Sequence, residues 1–422
     1  MSYAPPRVDR ARSAERIERD VETLAGSAFT DSSTAICRYA YIDSYRRTLE
    51  YFADQLEELG FEISYDPVGT LVARNRPPGE PVFGIGSHCD SNRNGGRYDG
   101  TLGVACAVEV CRLSREQDLD LPLQVISFLE EEGSGFGSML LGSRVMAGHI
   151  TEEELRNGVV SSDDGEAFWT HAERAGHHPE RWRESTRMLD DTIGWIELHI
   201  EQGRTLQDTG IQIGVVDTIA GYVHAEVSFE GRADHAGGTP MGTRSDAGLA
   251  AAHTMLAVER LADAAGAGTV GTVGELDLRP GLINVVPGEA RLSIDVRSVK
   301  RSAYRGVLEE VLSSAGRVAA ERSLRMESRE RVEVPPTSLD QGLVVALERA
   351  ASAGEVTHTR MPSGAAHDTM FVAQRVPSAM VFVPCKDGIS HSPLEEARPA
   401  DAAVGAELML GAIIEVVARH TG

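Results

Sequence analysis

Four apolar, strand-like runs in this chain each give way to side chains that can hold a metal ion or move a proton. Residues 81–87 (PVFGIGS) lead into His88, Cys89 and Asp90, and residues 121–129 (LPLQVISFL) lead into Glu130, Glu131 and Glu132. Residues 195–198 lead to His199 and Glu201, and residues 379–384 lead through Gly388 to His391. Taken singly, a histidine at such a place is most simply a hydrogen-bonded surface residue, and three glutamates in a row are most simply a solvated charge cluster. Open α/β sheets, however, bind ligands at the carboxyl ends of their strands, and four such endings on one sheet would converge there. A two-metal hydrolytic site needs this inventory: a carboxylate to bridge the ions, histidines and carboxylates to complete each shell, and a free carboxylate to take a proton from water. Adjacent glutamates at a strand end can divide the last two tasks, one coordinating while its neighbour stays unligated.

The elements that must position these residues are legible as periodicities. Leu49, Phe52, Leu56 and Leu59 recur at helical spacing over residues 43–59, and Gly60 stops the run. Residues 99–112 are small and apolar, suited to a helix packed closely on a sheet. Strands alternating with helices predict an α/β fold, a three-layer catalytic domain around a mostly parallel mixed sheet. Between about residues 211 and 335 the texture changes. Strand-like runs at 223–229, 270–278, 290–297 and 325–334 alternate with helical runs at 243–262 and 303–321. That order is β-α-β-β-α-β, the ferredoxin-like unit. The expected organisation is a catalytic domain in two parts, 1–209 and 331–422, with a small domain inserted at 210–330.

With 422 residues, 64 acidic and 41 basic, the chain carries a formal charge of −23, which repels phosphate backbones and anionic lipid surfaces. Nucleic acid and membranes are therefore not expected as partners, and an anionic substrate would need a local positive site. The five cysteines, Cys37, Cys89, Cys106, Cys111 and Cys385, show no C-x-x-C spacing, and the first residues carry arginines without an apolar core. These features predict a soluble cytoplasmic protein.

Seven motifs appear together and in order: GSHCDSNRNGGRYDG (86–100), EEEGSGFG (130–137), ELHIEQG (197–203), GRADHAGGTPMGTRSDA (231–247), INVVPGEARLSIDVRS (283–298), SGAAHDT (363–369) and DGISHSPLEEA (387–397). Over residues 30 to 420 the chain resembles the hydantoinase/carbamoylase amidases. That group contains N-carbamoyl-L-amino-acid hydrolases, β-ureidopropionases and allantoate amidohydrolases, and is a branch of the dinuclear zinc aminoacylase/carboxypeptidase clan. The resemblance implies two divalent metal ions per subunit, zinc or manganese with cobalt or nickel also acceptable, held by His88, Asp99, Glu132, His199 and His391, with Asp99 bridging. It implies Asp90 orienting His88, Glu131 as general base, and a cis peptide after Asp99, where Gly100 tolerates unusual geometry. From the inserted lid and dimerisation domain it implies His235 as an oxyanion donor acting in a partner subunit. Asn284 and Arg297 would grip the substrate's acid group, with Gln202 and His367 as further substrate contacts.

The implied activity is metal-dependent hydrolysis of the C–N bond of a small anionic N-carbamoyl or ureido acid by a homodimer. Allantoate hydrolysis and aminoacylase or dipeptidase activity are the alternatives, and a catalytically silent binding protein is the reading from another class. His199 favours the ureido-cleaving branch, since the peptidase branches usually carry an acid there. Four positions depart from the common pattern: Cys89, Ala366, Gly238 where threonine is usual, and Gly135 where arginine is usual. The last is expected to alter substrate range or loop packing.

Overall fold

The four runs that end in metal-capable side chains lie side by side. The computed structural model describes Pro6, residues 8–266 and residues 268–421. At the centre of a nine-stranded sheet are four parallel strands, in the order Leu123–Phe128, Val82–His88, Thr192–Ile200 and Ser378–Val383. Three of these are buried along their whole length, as continuous apolar runs require of a sheet covered on both faces. The flanks are antiparallel: Leu71–Arg74 and Glu62–Tyr65 on one side, Ile213–Ile219 and Thr337–Ser338 on the other. The sheet is mixed, as expected, but it is parallel only in its middle rather than mostly parallel. The two outermost strands on the first side are joined by the short turn at 66–70, and a turn that tight can only return the chain antiparallel.

Backbone contact is close wherever glycine interrupts these strands. A Cβ on Gly86 would lie 1.9 Å from the Ile126 carbonyl oxygen on the neighbouring strand. The helix Thr101–Glu116 lies against the sheet by the same device, since a Cβ on Gly103 would lie 2.3 Å from the Leu198 carbonyl oxygen. The amphipathic helix read at 43–59 is Asp43–Glu58, with Leu49, Phe52 and Leu56 buried and Gly60 at φ +89° beyond its end.

A second compact unit comprises Thr218–Ser338 and Pro362–Ala366. Its sheet runs Leu276–Arg279, Glu289–Ser298, Gly221–Glu230, Arg325–Val334, every pairing antiparallel. Val223, Ala225, Val227, Phe229, Leu292, Ile294 and Val296 form its inner face with residues of the helices Ala247–Ala265 and Arg301–Glu321. Residues 270–278, read as one strand, are two short ones, Val270–Thr272 and Leu276–Arg279, which pair with different stretches of Glu289–Ser298. The chain enters this unit at 218 rather than 210, because Ile213–Ile219 is a strand of the large sheet. It leaves after 338 rather than 330, because Arg325–Val334 completes the small one.

The loop after Leu123–Phe128 is shaped by the first of its three glutamates. Glu130 is buried at φ +54°, and its carboxylate accepts the N–H groups of Gly135, Phe136 (2.9 Å) and Ala40 (2.9 Å). Burial, with the nearby Asp90 charge, pushes its carboxyl up to about 7. Glu130 therefore fastens the loop. Gly135 has no room for a side chain: its Cβ would lie 2.7 Å from the Tyr39 ring and 3.0 Å from Glu130 Oε1. The Tyr39 hydroxyl donates to Asp163 (2.6 Å), and Arg93 stacks on the Tyr39 ring at 4.7 Å. Arg93 also donates to the Ser134 carbonyl (3.1 Å) and pairs with Asp163 (2.8 Å). The glycine is a packing requirement, and Arg93 supplies the cation beside this loop.

Substitutions at three glycines separate these effects in urea unfolding. Gly86→Ala and Gly135→Arg, which force strand backbone or the Tyr39 ring aside, are expected to lose about 3 kcal/mol or more. Gly306→Ala, on the helix Arg301–Glu321 with nothing within 4 Å of its added Cβ, is expected to gain roughly 0.5–1 kcal/mol. A stable, unshifted Gly135→Arg would show that Tyr39 moves freely.

Candidate active site

Asp99 is the point on which the strand ends converge. It precedes Gly100, whose φ of +60° starts the helix Thr101–Glu116 beside the His88 ring. A Cβ on Gly100 would lie 2.3 Å from His88 Cε1, so only glycine lets the backbone pass. The cis peptide expected after Asp99 is not found. Among the described residues the cis bond is Arg279–Pro280, and the turn is made by the positive φ of Gly100.

His199 Nε2 lies 3.1 Å and His88 Nε2 3.7 Å from Asp99 Oδ1. His391 Nε2 lies 3.4 Å from Asp99 Oδ2 and 3.4 Å from Glu132 Oε1. Two donor groups result, His88–Asp99–His199 and Asp99–Glu132–His391, each with its ligand atoms within 4.8 Å of one another. His88 Nε2, His199 Nε2 and Glu132 Oε1 are buried without a hydrogen-bond partner, which a cation would repair. The far nitrogens are occupied: Nδ1 of His88 faces the Asp90 carbonyl at 3.1 Å, and Nδ1 of His199 faces the Ile200 carbonyl at 3.0 Å. A ring nitrogen against a carbonyl must carry the proton, so in the neutral ring Nε2 of each is the lone pair a cation would take. Asp90 Oδ1 lies 3.5 Å from His88 Nδ1, while Asp90 Oδ2 accepts the Glu132 N–H (2.9 Å).

The electrostatics point the same way. Burial raises the carboxyls of Glu131 and Glu132 well above the usual range, and neighbouring carboxylates add to it. Burial opposes a charged His88, but Glu131, Asp90 and Asp99 outweigh it and hold the ring well above the ordinary histidine value. Burial alone would lift Asp99 too, yet His199, His88 and His391 hold it far below. Once ionised, the four buried side chains of Asp90, Asp99, Glu131 and Glu132 would carry a charge that two divalent cations would balance. Glu131 lies outside both donor groups, its Oε2 3.8 Å from His88 Nε2.

Other expected residues sit differently. Gln202, anticipated as a substrate contact, donates from Nε2 to Asp99 Oδ2 (2.9 Å) and Ser390 Oγ (3.2 Å). His367 is buried, its ring centroid 4.6 Å from that of His199, and burial with that neighbour drives it well below the ordinary histidine value. Cys89 is buried and its thiol is pushed up to about 11, so it packs rather than reacts. In the small unit His235 and Asn284 are exposed, and Arg297 is partly buried against Asp295. His235 Nδ1 accepts the N–H groups of Gly237 (3.1 Å) and Gly238 (3.0 Å).

Three residues were missed by sequence reasoning. Glu395 Oε1 accepts the N–H groups of Tyr98 (2.8 Å) and Asp99 (3.0 Å), and Ser390 Oγ lies 2.7 Å from Asp99 Oδ2 and 2.9 Å from Glu395 Oε2. Both stand within four residues of His391, the signal that could have found them. Asp368, next to His367, is buried with neither carboxylate oxygen hydrogen-bonded, and burial raises it well above the usual range.

The sequence model described as peptidase family M20/M25/M40 matches residues 84–415. An N-carbamoyl-L-amino-acid amidohydrolase of Paenarthrobacter aurescens is 36% identical over 94% of this chain and 96% of its own. A ureidoglycolate hydrolase of Oryza sativa subsp. japonica is 36% identical over 94% and 83%. The crystal structure of a hydantoinase/carbamoylase family amidase from Burkholderia multivorans has a TM-score of 0.84 at 29% identity, covering 97% of this chain and 98% of that one. On likeness sustained over nearly the whole of both partners, the chain belongs to the M20/M25/M40 peptidase family and, within it, to the hydantoinase/carbamoylase amidases.

Proposed function

We propose that this enzyme hydrolyses the C–N bond of a small N-carbamoyl or ureido acid, with N-carbamoyl-L-amino acids as the leading substrates and allantoate as the alternative. The observation that carries the reading is a pair of donor groups sharing Asp99, with the Glu131 carboxylate beside them and outside both. His199, in a place where the peptidase branches usually have an acid, favours a ureido over a peptide bond.

His88, Asp99 and His199 would hold one divalent cation, and Asp99, Glu132 and His391 a second. Zinc and manganese suit these donors, as do cobalt and nickel. Such a pair supplies Lewis acidity, which polarises the scissile carbonyl and acidifies water. Glu131 takes the proton of the attacking water and passes it to the leaving nitrogen. Because Nδ1 of His235 is filled by two N–H donors, the neutral ring carries its proton on Nε2, the tautomer needed to donate to a developing oxyanion. Asn284 and Arg297 hold the acid group. Asp90 orients His88, Gln202 steadies Asp99, and the neutral His367 completes the polar lining.

We read the small unit as a ferredoxin-like lid and dimerisation domain, a reading its strand order supports. Leu249 and Leu256 on its helix Ala247–Ala265, and Val270 and Leu276 on its short strands, are exposed, which supports a homodimer formed through this unit, with His235 serving a partner's site. All five cysteines are free thiols, in keeping with a cytoplasmic home, and among the described residues no helix is long and apolar enough to cross a membrane.

Two measurements test the reading. Glu131→Gln should keep two cations per chain by elemental analysis while turnover falls about 10²–10⁴-fold, and a variant that stays active removes Glu131 from the base role. Purified enzyme supplied with manganese or zinc should release ammonia from an N-carbamoyl-L-amino acid, N-carbamoyl-β-alanine or allantoate, and lose that activity to a chelator. Cleavage of N-acyl amino acids without ammonia release would replace the ureido reading with an aminoacylase.

A further inference from the structure

The open face of the small sheet carries a group of side chains that the reaction above leaves unexplained. Along Gly221–Glu230 and Glu289–Ser298 the inner residues Val223, Ala225, Ile294 and Val296 are buried, and the alternate positions form the opposite face. There Arg297 stands opposite Tyr222, and Asp295 opposite His224. Arg297 bends back along its own strand to Asp295. Its Nε lies 3.1 and 3.0 Å from the two carboxylate oxygens, and Nη2 lies 2.8 Å from Oδ2. The guanidinium carbon is 5.6 Å from the Tyr222 ring centroid, the Tyr222 and His224 rings are 4.8 Å apart at 30°, and His224 Nε2 is 3.4 Å from Asp295 Oδ2.

We propose that Asp295, backed by His224, is a positioning residue that presents the Nη1–Nη2 end of Arg297 to a substrate carboxylate and so sets the enzyme's preference for acids over neutral analogues. The proposal rests on Arg297 being the acid-binding residue. A guanidinium has five N–H donors in a rigid planar fork and can grip a carboxylate either along its Nε–Nη2 side or across its Nη1–Nη2 end. Asp295 fills the side, so only the end remains, and the two-point hold fixes the plane in which it is offered. Asp295 also neutralises the guanidinium, so discrimination comes from a matched pair of hydrogen bonds rather than from a free positive charge. A lysine at 297 could not keep the bonds to Asp295 and also offer a planar pair. Tyr222 and His224 wall the group in, limiting the rotamers that would break the alignment.

The test compares kcat and KM for an N-carbamoyl-L-amino acid and its carboxamide counterpart. Arg297→Ala should collapse the acid-over-amide preference in kcat/KM; if it does not, the reading of Arg297 fails and this proposal with it. If it does, Asp295→Ala should lower the same preference about tenfold, chiefly by raising KM for the acid. Asp295→Asn, which keeps one acceptor for Nε–H, should recover part of that loss. Asp295→Ala/Arg297→Ala should be no worse than Arg297→Ala alone, because Asp295 acts through the guanidinium. Equal losses on acid and amide, additive losses in the double variant, or a lower KM for the acid once Asp295 is removed would each overturn the positioning role. Turnover of the carboxamide by the Asp295 variants reports that they are folded.

Discussion

One buried carboxylate carries more obligations than any other group in the larger unit. Asp99 has imidazole nitrogens from His88, His199 and His391 within 3.7 Å, a hydrogen bond from Gln202, and the Ser390 hydroxyl alongside. Its own backbone N–H is held by Glu395. A carboxylate in that position, with three further acids buried nearby, is untenable in a protein interior without counter-charge. The parallel strands, the glycine turn at 100 and the loops after residues 88, 129, 200 and 383 place that charge where two cations would answer it.

The three consecutive glutamates show how one sequence feature divides under a physical constraint. At a strand end the chain must turn, and the turning loop has N–H groups that need acceptors. Glu130 meets that need with both oxygens, which removes it from chemistry. Glu132 is drawn to His391 and Asp99, and Glu131 is left close to His88 but outside either donor group.

How much of this was legible in the sequence follows from what each signal encodes. Runs of apolar residues encode burial, so the central strands and the side chains at their ends could be read directly. Strand direction is not encoded that way, and the antiparallel flanks became visible only as pairings. A contact made by a side chain at long range leaves no local trace. The resemblance implied Gln202 as a substrate contact, but nothing local to it announced that its Nε2 donates to Asp99 and Ser390. Glu395 drew no notice because its two backbone partners, Tyr98 and Asp99, are almost three hundred residues away. Gly135 looked like a lost cation, and the packing of Tyr39 and Arg93 against its loop is what makes glycine necessary there.

The protein's charge sets the final constraint. A chain at −23 repels the small acids it is read to cleave. An unpaired arginine offered as bait would attract any anion, and in this protein it would also attract its own surface carboxylates. Binding Arg297 to Asp295 removes that problem at its source. The pair is close to neutral, and the donors it leaves across the Nη1–Nη2 end match a group with two coplanar oxygens. The two units therefore handle negative charge in opposite ways. The larger one concentrates carboxylates that cations would balance, and the smaller one, on the proposed reading of Arg297, cancels its cation so that geometry would select the substrate.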